Sequence, residues 1–498
     1  MYTQAKGEKM LNEKKLLLYA MCVSFLFIMI CSKSSFLYPM NDWQDVNCFF
    51  TVGKAMMNGK VLYKDIYEQK GPILYFIHGL AYLISQTSFL GVFIIEVFSF
   101  GAYIYIAAKC AAIYIKNKNI LYLMMPIIAS LITMSKAFAH GDSVEELSLV
   151  LVMYSLYTVL KNLNANKKMC RYEIVLNGVC AAIVLWMKFT ILGFYIGLVI
   201  FVSIWYLEKK YIKEWFQAMV CFLLGVGMVS LIVFGYSLIT HSIRDLFQVY
   251  FYNNLFLYPI ELQENRLMVI LKCMQDTIRT NPCFMIFVII GMIWSVKRTW
   301  KECLCIWMTF ACMVLGVYWG GRSYVYYGLI FSAYTVFGVV VVLDEVVEYR
   351  IRFISKTIYV KAVAALLCVC LMGVNYIMSD NTYLLGMKKD EMPQHKFAAI
   401  IDSVPNSTML NYGFMDGGFY TAANKIPINK YFCRLNTPLP ELEKEQNQYI
   451  EGGKVDFVVT RNASLDEYGI DCTKYELNSE ETFYYEGNMY TYFLYRLR

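Results

Sequence analysis

Long apolar runs recur along this chain and set its class before any single residue is considered. Crossing about 30 Å of hydrocarbon as a helix takes about 20 apolar residues. Runs near that length stand at 16–37, 89–115, 120–139, 147–161, 173–187, 189–207, 216–240, 282–296, 303–319, 328–346 and 358–378. The expectation is an α-helical polytopic membrane protein with about eleven transmembrane helices. The formal charge of +7 lies in short clusters between the runs rather than along one face, which argues against a nucleic-acid partner. Those clusters report topology instead. Lys116/Lys118, Lys161/Lys167/Lys168/Arg171, Lys209/Lys210/Lys213, Lys297/Arg298/Lys301 and Arg350/Arg352/Lys356 all fall on the side of the N-terminus, as basic loops do on the cytoplasmic face. The first run is too long for a leader and lacks a small-x-small cleavage site, so it reads as an uncleaved first span.

This arrangement divides the chain into a cytoplasmic N-terminus (1–15), a transmembrane region (16–378) and an extracytoplasmic soluble α/β domain (379–498). An outer loop at 38–88 carries juxtamembrane helices. Further outer connections fall at 140–146, around Lys188, at 241–281 and at 319–327. "PILYFIHGLAYLI" is too short to cross and reads as an interfacial or re-entrant helix. In the C-terminal region, "STMLNYG", "KVDFVVT" and "TFYYEGNMYTYFLYRL" alternate as strands do, with a hairpin signal at Glu486-Gly487-Asn488. "PELEKEQNQYIEGG" reads as a helix stopped by glycine. Nearly all of the 16 cysteines lie singly in apolar runs, as small hydrophobes do. Cys303-x-Cys305 and Cys368-x-Cys370 are too close for a zinc site. Cys433 and Cys472 are the only two in the C-terminal region, where an oxidising compartment allows them to pair.

The polar residues with most chemical potential gather on the outer side, in "NDWQDVNCFFTVGKAMMNGKVLYKDIYEQKGP" above all. Apolar residues at helical spacing from Val46 to Met57 predict an amphipathic helix stopped at Asn58-Gly59. At its start Asp42 has the position of an N-cap, and Asp45, three residues on, suits the helix dipole. Tyr63, Asp65, Glu68 and Lys70 then lead back to the interface, either as a solvated loop or as a site at headgroup depth. Asp142, Glu145 and Glu146 open a span, where dipole complementation explains them equally well. Lys188 at the outer edge of "LWMKFT" could simply snorkel. Glu96 is the one clear carboxylate inside a run, hence a functional candidate by default, with Tyr103 or a neighbouring helix as its expected partner.

These residues carry a resemblance. An aspartate opening the first outer-loop helix, followed by G-x-x-x-Y-x-D-x-x-x-x-K-[GP]-P, resembles the GT-C class of polytopic glycosyltransferases, which includes protein O-mannosyltransferases and lipid A aminoarabinose transferases. Gly59, Tyr63, Asp65, Lys70, Gly71 and Pro72 match it. So do Glu145 in a G-x-S-V-E-E loop, Lys188 in W-x-K and Arg322 before an aromatic stretch, where Tyr326-Tyr327 stands in place of a histidine-tyrosine. The resemblance implies transfer of a sugar from a polyprenyl-phosphate donor to an envelope glycan, lipid or protein outside the cell membrane. Asp45 is then the base toward the acceptor, with Asp42 second and Asp65 undecided. Lys70, Lys188, Arg322 or a divalent cation (Mg or Mn) would meet the leaving phosphate. A transporter or flippase of envelope precursors is the competing reading, since many spans and few charges suit it too, although the inverted repeats such proteins carry are not visible here.

Overall fold

The computed structural model describes residues 2–258, 265–350, 357–485 and 487–498. Arg352 and Lys356 of the last basic cluster, 259–264 of the long outer connection and Glu486 of the hairpin signal lie outside the described residues. In chain order the helices are α1 (Tyr2–Cys31), α2 (Gln44–Met57), α3 (Pro72–Ile84), α4 (Leu90–Ala111), α5 (Leu121–Thr133), α6 (Val144–Asn164), α7 (Arg171–Leu185), α8 (Leu192–Glu208), α9 (Ile212–Ile239), α10 (Ile243–Leu246), α11 (Arg266–Thr280), α12 (Pro282–Ser295), α13 (Trp300–Tyr318), α14 (Thr335–Arg350), α15 (Thr357–Met378), α16 (Pro393–Asp402), α17 (Phe419–Ala422) and α18 (Pro440–Glu451). Four strands follow the same order: β1 (Met409–Asn411), β2 (Phe457–Arg461), β3 (Tyr475–Tyr485) and β4 (Asn488–Leu497).

Each expected apolar run is helical over most of its length. Among the described residues, seven helices are long and apolar enough to cross a membrane, or eight if α11 and α12, bent by 116° at Asn281, are one broken span. The runs at 120–139, 147–161 and 173–187 fall short of that test, because their helices are either short or charged at an end. The connection expected at 241–281 is largely helical instead. After α10 a wide helical turn occupies Phe247–Leu257, and α11 turns Leu267, Met268, Leu271 and Ile278 outward, the pattern of a helix lying along an apolar boundary.

The chain forms two compact units. One comprises 1–32, 94–232 and 260–383. Here small residues let helices approach closely: a Cβ added at Gly193 of α8 would lie 2.1 Å from the Cys312 carbonyl oxygen of α13. Polar side chains supply the rest, as they do where apolar packing alone does not discriminate. Asn375 of α15 accepts from Thr133 (2.7 Å) and donates to Ser130 (2.6 Å), both on α5.

The other unit comprises 33–93, 233–259 and 384–498. Its sheet has the order β1-β2-β4-β3, with β1 and β2 parallel and the remaining pairs antiparallel. Tyr485 pairs with Asn488 at the hairpin, and Gly487 supplies the left-handed residue at φ +81°. Leu410, Val458 and Tyr495 of the sheet pack with Ile450 of α18 in one core. Helix α18 starts with Pro440 in its first turn and ends at Gly452, as its sequence predicts. Helices α2 and α3 form a tight hairpin: a Cβ at Gly53 would meet the Gly79 amide at 2.5 Å, and Phe49 packs edge-on against Tyr75 and His78.

Candidate active site

Asp42 does not cap α2. Trp43 is the N-cap residue and makes no side-chain capping bond, while the Asn41 side chain accepts from the Trp43 amide at 3.1 Å. Asp42 instead accepts from the Lys33 ammonium at 2.6 Å, with both side chains essentially inaccessible. The magnitudes explain the choice. A capping bond contributes about 1 kcal/mol, whereas leaving a buried ammonium unpaired costs roughly 3–5 kcal/mol. Lys33 was hidden from sequence reasoning because it stands inside the first apolar run. A basic residue at the outer end of that run was the available signal.

Asp45 lies half-buried in the first turn of α2. The loop that follows is fixed from several directions. Tyr63, in the left-handed region at φ +65°, donates its hydroxyl to the Lys70 carbonyl at 2.5 Å. The Lys70 amide donates to Glu68 Oε2 (3.0 Å) and to the Tyr75 hydroxyl of α3 (2.8 Å). Asn254 donates to the Gln69 carbonyl at 2.6 Å. Asp65 has a local task, accepting from the Val61 amide at 2.8 Å across the turn. Glu68, named in this loop by the sequence but given no role there, accepts from the Lys70 amide. Burial pushes its carboxyl above the usual range; Lys70 and two backbone amides pull it down, and Asp45 raises it. The geometry thus ties the Glu68 carboxylate to the backbone of Lys70 within the loop.

Further along α2, Cys48 Sγ lies 3.9 Å from Cys433 Sγ. Cys433 thus faces Cys48 and not Cys472, which packs partly buried against the sheet core. Thr51 donates to Asp416 at 2.6 Å, and Lys54 donates to the Tyr420 carbonyl at 2.7 Å. Burial lowers the Lys54 ammonium to about 7 against an opposing pull from Asp416, and burial raises the Asp416 carboxyl.

In the transmembrane unit, Lys188 forms a buried ion pair with Glu145. Its ammonium lies 3.4 Å from the centre of the Tyr327 ring and 5.5 Å from that of Tyr326, a desolvated cation–π arrangement. Arg322 donates to the Tyr324 hydroxyl at 3.2 Å, and Tyr324 stacks on Tyr326 at 5.8 Å and 15°. Lys188, Glu145 and Arg322 thus share one cluster, joined by three tyrosines. The second oxygen of Glu145 is buried without a hydrogen-bond partner. Snorkelling does not describe Lys188, since it points into protein.

Beside Glu145, the loop into α6 is strained: Ala139, Gly141 and Asp142 have φ of +50°, +84° and +56°. It is held by Glu96, whose oxygens accept from Ser32 (2.9 Å) and from the Asp142 amide (2.9 Å), and by Glu146, which accepts from the same amide at 2.8 Å. A Cβ at Gly141 would lie 2.3 Å from Ser32 Oγ, so only glycine fits. Tyr103 is not the partner of Glu96; its hydroxyl donates to the Ser332 carbonyl at 3.2 Å. Ser143, and neither glutamate, caps α6. Among the described residues, no three His, Cys, Asp or Glu side chains converge as metal ligands.

Residues 3–318 match the family model described as "Putative competence-induced protein Ccs4 N-terminal domain". No curated protein matches. Among solved structures, ArnT from Cupriavidus metallidurans bound to undecaprenyl phosphate aligns at 11% identity and TM-score 0.60, covering 96% of this chain and 97% of that one. The apo state of the same protein aligns at 10% identity and TM-score 0.58, covering 99% and 98%. The Archaeoglobus fulgidus oligosaccharyltransferase complex with Zn and sulfate aligns at 14% and 0.48, covering 89% and 67%. The fold is therefore that of ArnT, and the chain is a multi-pass membrane protein.

Proposed function

The chain belongs to that Ccs4 family, and we propose that it is an integral membrane glycosyltransferase that moves a sugar from a polyprenyl-phosphate donor to an extracytoplasmic acceptor. The N-terminus is cytoplasmic in this reading, 16–378 form the transmembrane domain and 379–498 the outer one. One observation carries the proposal: the loop with the G-x-x-x-Y-x-D-x-x-x-x-K-G-P pattern is immobilised by Tyr63, Glu68, Tyr75 and Asn254, which hold the backbone of Gln69 and Lys70. A flexible interspan linker needs none of these bonds.

Asp45 takes the proton of the acceptor hydroxyl as its oxygen attacks the anomeric carbon. The bond from that carbon to the phosphate oxygen breaks, and the polyprenyl phosphate leaves with its added negative charge. Lys70 is the cation that the outer loop offers to that charge, and Lys188 and Arg322 are proposed as phosphate-binding residues of the transmembrane unit's own cluster. Glu145 orients Lys188, Asp42 neutralises Lys33, and Asp65 shapes the turn. The residues present do not fit a resident divalent cation, because no ligand set converges among the described residues and Asp42 and Glu145 are each engaged by a lysine. The step is therefore written without one.

The test is a purified-protein assay across a panel of undecaprenyl-phosphate sugars with product identification. Asp45→Asn is expected to lower transfer by about 10²–10⁴-fold, the usual worth of a positioned base, with unchanged membrane insertion and melting. Wild-type transfer by this variant sinks the base assignment. Movement of labelled lipid or solute across vesicles without any glycosyl product would establish a transporter instead.

A further inference from the structure

Away from Asp45, the C-terminal region carries a cleft of about 390 Å³. Its lining includes Tyr412, Tyr468, Arg434, Glu443, Asn436 and Gln446. The two tyrosine rings meet edge-on at 4.9 Å and 78°. Tyr412 is buried and donates its hydroxyl to Asn447 at 2.7 Å, while Tyr468 keeps part of its ring exposed. Arg434, Asn436 and Glu443 are exposed, so each can still exchange water for a ligand. Pro438 and Pro440 stiffen the rim.

We propose that this cleft is an acceptor subsite and takes the one or two sugar units that precede the reacting end of a neutral glycan. The inference rests on the transferase reading above and deepens it by naming the acceptor class. Three features of the lining select that class. A guanidinium, a carboxylate and the Asn436 amide offer donors and acceptors in planar groups, matching the neighbouring hydroxyls of a sugar, which donate and accept alike. The exposed part of the Tyr468 ring suits the C–H face of a pyranose. Arg434 and Glu443 cancel in charge, which favours a neutral ligand over an anionic one, and burying both against an acyl chain would leave two charges desolvated. The volume lies within the roughly 300–1,000 Å³ of small-ligand sites.

Its position supplies the remaining argument. Thr437, in the wall of the cleft, donates its hydroxyl to the Gln69 side chain. Gln69 is the residue before Lys70. One hydrogen bond and one peptide bond therefore connect the cleft to the loop offered to the donor phosphate. A bound acceptor is held beside that loop without using any of its residues.

The experiment uses the full chain in detergent and a printed array of neutral di- and trisaccharides of glucose, galactose, mannose, rhamnose and N-acetylhexosamines. Wild type is expected to bind at least one of them, and Arg434→Ala, Glu443→Gln and Tyr468→Ala to bind it at least ten-fold more weakly. Tyr468→Phe, which keeps the ring, retains binding. Undecaprenyl phosphate binding is unchanged in all four, and melting temperature is unchanged in all but Tyr468→Ala, which removes a ring that also packs on the sheet core. No binding by wild type, or equal binding by the variants, overturns the proposal. So does a peptide library whose capture is lost in the cleft variants, since a polypeptide is then the occupant. Cleft-dependent sugar binding by a protein that makes no glycosyl product from any donor overturns the transferase reading alone and leaves a glycan site.

Discussion

Lys188 illustrates how much one side chain depends on its surroundings. Its ammonium is enclosed by Glu145 and two tyrosine rings, so an arriving phosphate gains a cation already stripped of water but must compete with Glu145 for it. Lys188→Met leaves Glu145 buried and unpaired, and the expected cost is roughly 3–5 kcal/mol, read as a lower melting temperature. Lys188→Met combined with Glu145→Gln removes both charges and is expected to recover most of that stability without recovering transfer. Recovery of transfer in the double variant would show that the lysine acts only structurally. At this scale the sequence says little about which residues touch one another. The loop pattern from Gly59 to Pro72 was legible because the spacing of a glycine, a lysine and a proline is a local property. Asp42 was misread as a cap because its partner Lys33 looked like part of a span. Glu68 was given no role because its importance lies in its neighbours.

Helix α2 is the element on which the proposed site turns, and its polar side chains are satisfied from far along the chain. Lys54 allows a pH test. Its folded value of about 7 lies below the roughly 10.4 of an exposed lysine, so between those values the unfolded chain holds more protons than the folded one. Stability from this group therefore rises as pH increases from about 7 toward 10, and below about 7 its contribution is flat and least favourable. Asp416, whose carboxyl is raised, acts oppositely: its contribution falls as pH rises through its window above the usual aspartate range. Melting temperatures at pH 7 and 9 are expected to show a gain for wild type that Lys54→Met lacks. The Cys48–Cys433 contact offers a second check. Mild oxidation of the full chain is expected to join these two, slowly because burial raises both thiols, and non-reducing peptide mapping reads the link. A Cys433–Cys472 link instead would contradict the arrangement around α2. The helices and strands themselves were foreseeable from periodicity, down to the glycine stop of α18. The helical content of 241–281 was not, since its aromatic and amide residues carry no strong helical period.

At the scale of the whole molecule, two of the candidate carboxylates are each paired with a lysine, Asp42 with Lys33 and Glu145 with Lys188. Transfer is accordingly expected to persist in EDTA, with less than about a two-fold change; loss of activity on chelation and its return with Mg or Mn would reinstate a metal in the step. The membrane class and the GT-C-like fold were readable from apolar runs and one loop motif, because both are repeated or local signals. The long-range bonds of α2 were not, and they have a consequence for how the protein is made. Thr51 and its partner Asp416 are 365 residues apart. At a synthesis rate of about 5–20 residues per second, α2 emerges roughly 20–70 s before the segment that buries it. During that interval Thr51, Lys54 and Cys48 have no partner from the C-terminal region. The nascent chain must shelter this helix, against α3 or the lipid surface, until the segment around Asp416 has been made.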